Sequence, residues 1–131
     1  MYDIADIAKY IVSECYLKGH PITNTELQCY LFFCDCVYLE YKNALLFPDS
    51  IKPRERLPMY EPQYYMCGGW GAMDICNFYD HEEIDKETMR IIDCVISCLS
   101  KLSLAKLVRK TYEGMEKETR WKKIKGRVLI G

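Results

Sequence analysis

Histidine is nearly missing from this chain, which holds only His20 and His81 among 131 residues. Both sit in turn-like surroundings, beside Gly19 and Asp80, so neither is set against a serine, cysteine or threonine as a base, and ordinary hydrolase or transferase chemistry is not expected. Also missing are G-x-x-x-x-G-K-[ST], G-x-G-x-x-G and H-E-x-x-H, the common phosphate cradles and the zinc-protease helix. The run Gly68-Gly69-Trp70-Gly71 is too short and too aromatic to cradle phosphate; it reads as a helix end and tight turn, where glycine takes positive φ. No uninterrupted apolar run reaches the roughly 18 residues of a membrane helix, and no basic-then-apolar leader opens the sequence. These absences predict a cytoplasmic protein that is not an enzyme, carries no cofactor and enters no membrane.

Cysteine, in contrast, is plentiful: Cys15, Cys29, Cys34, Cys36, Cys67, Cys76, Cys94 and Cys98. An even count invites a disulfide framework, but without a secretory leader the expectation is reduced thiols, mostly buried as small apolar side chains at positions such as Cys34 and Cys98. Cys34-x-Cys36 and Cys94-x3-Cys98 do not have the spacing of a zinc knuckle. No metal is therefore expected. The acidic run Asp80, Glu82, Glu83, Asp85 and Glu87 lacks the alternating ligands and central glycine of a calcium loop, and reads as acid at a helix start.

Half the residues are apolar, enough for one domain over 1–131 with its own core. Ile4, Ile7, Ala8, Ile11 and Val12 trace a helical stripe from Asp3 to about Leu17, stopped by Gly19 and Pro21. Thr23 and Glu26 have capping-box spacing, so a second helix starts near Asn24. Its Leu27, Tyr30, Leu31, Cys34, Tyr38 and Leu39 share one face, while Glu26, Asp35, Glu40 and Lys42 fall on the other, wet sides. Between Asn43 and Asp80 periodicity collapses among prolines and glycines; the reading there is a loop, a short helix near Glu61 to Cys67 and a glycine turn, too aromatic to be a disordered linker. From Asp85 the period returns with Met89, Ile92, Val95, Ile96, Leu99 and Leu102, which reads as the central helix. Ser103 then caps a helix with Leu104, Leu107, Val108 and Thr111, ending at Gly114. Val128-Leu129-Ile130 closes the chain as a short strand or docked end. The fold class is mainly α, a single compact domain of about five to six helices around an irregular aromatic Gly/Pro-rich middle.

Several of these segments resemble the Panacea family, also called SocA-like or phage-associated GepA-like proteins. Ala5, Asp6, Ile7, Ala8, Lys9 and Tyr10 match its first helix; Thr23, Asn24, Leu27, Gln28, Leu31 and Phe33 match its second; Leu46, Phe47, Pro58, Leu107, Thr111 and Trp121 match the rest. Departures fall at Glu26 and Cys29, where lysines are common, at Tyr112, where a histidine is usual, and in the missing Gly-Pro-Val element. The resemblance implies a phage or prophage antitoxin that neutralises a partner protein by direct contact. The partner would be a toxin, which a SocA-like member delivers to a protease, or a host defence nuclease, as for an anti-CRISPR.

Charge is segregated. Residues 1–100 carry 8 basic against 16 acidic side chains, whereas residues 101–131 carry 10 basic against 3 acidic. The basic segment around Trp121 suits nucleic acid, and equally suits an acidic protein partner or the acidic body of its own chain. Aromatics of the middle segment have the character of interface anchors, because each offers a large flat area with a polar handle. They also suit covering the central helix, which is slightly the favoured reading. The expected partner-binding residues are Tyr60, Tyr64, Tyr65, Trp70, Arg109, Lys110, Arg120, Trp121, Lys122 and Lys123. A protein partner is expected, with nucleic-acid regulation through the basic segment as the alternative.

Overall fold

A computed structural model describes residues 1–49, 52–54, 57–60 and 68–117. Four α-helices dominate it: α1 (Ile4–Leu17), α2 (Asn24–Lys42), α3 (Lys86–Leu99) and α4 (Leu104–Lys117). Between α2 and α3 lie a two-stranded antiparallel ribbon, β1 (Lys52–Arg54) and β2 (Leu57–Met59), and a 3₁₀ turn at Gly68–Trp70. The fold is thus mainly helical, and the described residues hold four α-helices of the five to six expected. The helix expected near Glu61 to Cys67 and the terminal segment 118–131 lie outside the described residues.

The helix starts are where the chain supplies acceptors for unpaired N–H groups. The Asp3 carboxylate accepts from the Ala5 N–H at 2.9 Å and opens α1, satisfying one of the donors a first turn leaves orphaned. Thr23 opens α2 with a complete capping box: its hydroxyl accepts from the Glu26 N–H at 3.2 Å, and its own N–H donates to Glu26 Oε1 at 3.1 Å. Asp85 opens α3 by accepting from the Thr88 N–H at 2.8 Å, and the Ser103 hydroxyl accepts from the Lys106 N–H at 3.3 Å at the start of α4. The α1 exit turns through Gly19 at φ +74°, a left-handed conformation that favours glycine.

The central helix is α2, not α3 as the strength of the later apolar period suggests. It packs against α1, α3, α4 and β2, so its first half has no wet face: Leu27, Gln28, Cys29, Tyr30, Leu31 and Phe32 are all buried. A helix enclosed on every side needs partners for its polar groups, and Asp35, expected in solvent, is fully buried, with Oδ1 accepting from the Leu46 N–H at 3.4 Å. The Gln28 amide donates to Asn24 Oδ1 at 3.0 Å, and its Oε1 accepts from the Tyr60 N–H at 2.8 Å. These two side chains tie the 43–60 connection to α2. Ile92, Val95 and Leu99 of α3 are buried as the stripe predicts, and so is Leu107 of α4.

Gly114 does not end α4, which runs three residues further to Lys117. Its role is steric: a Cβ there would lie 2.8 Å from Cε2 of Phe32, a buried ring of α2. Alanine gains about 1 kcal/mol in helix propensity, while forcing atoms into a packed core costs about 1 to 3 kcal/mol. Gly114→Ala is therefore expected to lower the denaturation midpoint in the native background and to raise it once Phe32 is shortened to Leu. Equal effects in both backgrounds would show that the ring is not what requires glycine.

Candidate interaction surface

Residues 71–85 run from the 3₁₀ turn to α3 without a regular element, yet they are tied down along their length. Gly71 turns the chain at φ +57°. The Ile75 N–H donates to the Ile22 carbonyl at 2.7 Å, and Ile75 itself is buried. Ser13 of α1 is buried and meets Tyr79 twice: its hydroxyl accepts from the Tyr79 N–H at 2.8 Å and donates to the Tyr79 carbonyl at 3.2 Å. The Trp70 indole N–H donates to the Tyr79 hydroxyl at 3.3 Å. Further on, the Glu82 N–H donates to Asp6 Oδ1 at 3.1 Å, the His81 ring stands edge-on to Tyr10 at 5.5 Å, and Ile84 is buried. At the far end the Tyr2 hydroxyl donates to the Asp85 carboxylate. That bond, followed by the Thr88 amide, holds the Asp85 carboxyl down to about 2.

The result is a strap stitched to α1, with Ile75 and Ile84 buried beneath it and the side chains on either side of Ile75 turned outward. Met73 is 67% exposed and Phe78 52%. Tyr16 and Leu17, also exposed, belong to α1 between the strap's Ser13 and Ile22 anchor points. Large apolar side chains held in fixed positions at the surface are what a protein interface uses as anchors, since little side-chain freedom remains to be lost on binding.

The expected binding residues divide accordingly. Tyr60 is not at the surface; it is fully buried, its ring edge-on to Phe47 at 5.4 Å, and burial pushes its hydroxyl well above the usual tyrosine range. The backbone bond to Gln28 draws it inward. Trp70 is half-buried and serves as the latch on Tyr79. Arg109 and Lys110 are exposed on α4 with Lys106, opposite the buried Leu107, Thr111 and Met115. The opposite, apolar face of α4 packs against α2 and β2, whereas the strap is stitched to α1, so the two sets arise from different parts of the fold. Tyr64, Tyr65, Arg120, Trp121, Lys122 and Lys123 lie outside the described residues. Met73 carries no motif and was missed in the sequence; Phe78 was legible as an aromatic but not as an outward-facing one.

Seven cysteines are described, and all are free thiols. Burial pushes Cys15 up to about 12 and Cys29 up to about 11, and holds Cys34 well above the ordinary thiol range, so these three stay protonated and unreactive at neutral pH. The expectation of mostly buried thiols fails elsewhere: Cys76, Cys94 and Cys98 are exposed, Cys98 because it faces away from the core stripe of α3. Among the described residues no group of three His, Cys, Asp or Glu side chains is placed to hold a metal, and no helix is long and apolar enough to cross a membrane. A cleft of about 250 Å³ lies between the end of α1 and α3, lined by Cys15, Lys18, His20, Ile96, Ser97 and Ser100; it falls below the roughly 300 to 1,000 Å³ usual for ligand pockets. No family model, curated protein or solved structure matches the chain.

Proposed function

We propose that this protein is a binding module that neutralises a partner protein by direct contact, as its resemblance to the Panacea antitoxins implies. The partner is a toxin, or a host defence nuclease of the kind an anti-CRISPR inhibits, and the gene belongs to a phage or prophage. The observation that carries this reading is the strap, in which Ser13, Trp70 and Tyr79 fix a segment that presents Met73 and Phe78, on either side of the buried Ile75, to solvent. The acidic body and the exposed cations of α4 would steer a partner of complementary charge.

Co-purification with the product of the adjacent gene, followed by binding kinetics, tests it. Met73→Ala combined with Phe78→Ala is expected to speed dissociation by about tenfold or more, because truncating anchor residues acts mainly on the off-rate. Circular dichroism should stay unchanged, since neither side chain is part of the core. Unaltered affinity in the folded double variant would remove the strap from the interface.

A second reading, a nucleic-acid-binding regulator, is favoured by one feature, the exposed row Lys106, Arg109 and Lys110 on α4. It requires binding to a DNA or RNA duplex that weakens steeply with added salt. Salt-insensitive or absent binding would eliminate it.

A further inference from the structure

Cys94 and Cys98 stand on the outer side of α3, opposite the buried Ile92, Val95, Ile96 and Leu99. Being four residues apart, they project from one ridge with Cβ atoms about 5 to 6 Å apart. A disulfide needs about 3.5 to 4.5 Å between those atoms, so an intact turn keeps the pair from closing on itself. An atom bonded to both sulfurs does span the gap, since a metal–thiolate bond adds about 2.3 Å on each side.

The surroundings suit such an atom. Arg90 lies one turn before Cys94 on the same face, and Lys101 follows in the turn just past the end of α3, both exposed. Glu87, the acidic group of that face, is engaged by Lys42 at 2.6 Å. Beside Cys94 is a cavity of about 250 Å³ whose walls include Val37, Tyr41 and Ile91, an apolar flank for a poorly hydrated ion.

We infer that Cys94 and Cys98 form a two-sulfur site for a soft cation of low coordination number, monovalent copper being the biological instance. Soft thiolates select such ions, whereas structural zinc takes four ligands, and no third His, Cys, Asp or Glu joins this pair among the described residues. On binding, two S–H bonds break and two S–Cu bonds form. The protons pass to solvent, copper stays monovalent and no electron is transferred. The resulting bis-thiolate centre carries one negative charge, which Arg90, one turn away on the same face, offsets. Affinity accordingly rises with pH, because both thiols must be deprotonated.

The test is an anaerobic titration of the reduced full-length protein with Cu(I), in competition with a chromogenic Cu(I) chelator. One equivalent per chain is expected. Affinity should fall by about a hundredfold or more in Cys94→Ser and in Cys98→Ser, because each converts a two-point attachment into a single one. Cys76→Ser, which removes an exposed thiol with no cysteine one turn away, should leave the affinity unchanged. Full retention in either α3 variant, an equal loss in Cys76→Ser, or uptake only by a disulfide-linked dimer would each overturn the inference. Circular dichroism checks that the serine variants, altered only at exposed positions, remain folded.

Discussion

Leu31→Ala is expected to remove about 2 to 5 kcal/mol of stability, the range for deleting a fully buried leucine. Leu31 sits at 0% exposure on α2, the helix that α1, α3, α4 and β2 all share. The surrounding elements pack on α2 itself, so they cannot close over the hole without disturbing one another, and the loss should lie in the upper part of that range. At roughly 3 to 5 °C per kcal/mol for a domain of this size, the melting temperature falls by about 10 °C or more. Cys94→Ala, on the outer face of α3, should leave it nearly unmoved. A Leu31→Ala protein that melts with the parent would show that α2 is not the core of the fold.

The second large effect is expected at Gln28. Replacement by Met keeps the length and nearly the volume of the side chain but removes the acceptor for the Tyr60 N–H. Tyr60 is fully buried, so the stranded donor costs about 1 to 3 kcal/mol. Packing is conserved in this substitution, and the loss therefore measures the two hydrogen bonds of Gln28, from the Tyr60 N–H and to Asn24 Oδ1, and not a cavity. Amide exchange distinguishes the two: the Tyr60 N–H should exchange much faster in Gln28→Met, while amides in the middle of α3 slow or quicken only with global stability. Unchanged protection at Tyr60 would mean that the donor has found another acceptor.

Much of the helical frame was legible because its signals are local. Asp3, Thr23 with Glu26, Asp85 and Ser103 each announce a helix start through side-chain acceptors within three residues of the donor they satisfy, and the stripes of α1 and α3 follow from periodicity alone. What stayed hidden depends on neighbours distant in sequence. A 3.6-residue pattern identifies apolar residues that bury, but Gln28 and Asp35 are buried because the backbone of Tyr60 and Leu46 arrives there needing acceptors. The ribbon was obscured by Pro53 and Pro58, which pair with each other although proline is depleted in strands. Gly114 looked like a terminator because glycine commonly ends helices, whereas the Phe32 ring it accommodates is 82 positions away. On the strap, alternation is too irregular for Met73 and Phe78 to be distinguished from core-facing aromatics such as Tyr60.

The strap's division of labour has an evolutionary corollary. Ala72, Met73, Asp74, Cys76, Asn77 and Phe78 all face outward, while attachment rests on Ile75, Tyr79 and Ile84 together with Ser13 of α1. The six outward positions can be rewritten without touching what keeps the segment in place. Under the binding function proposed above, a lineage facing changing targets can therefore alter what this face recognises while the scaffold beneath it drifts independently.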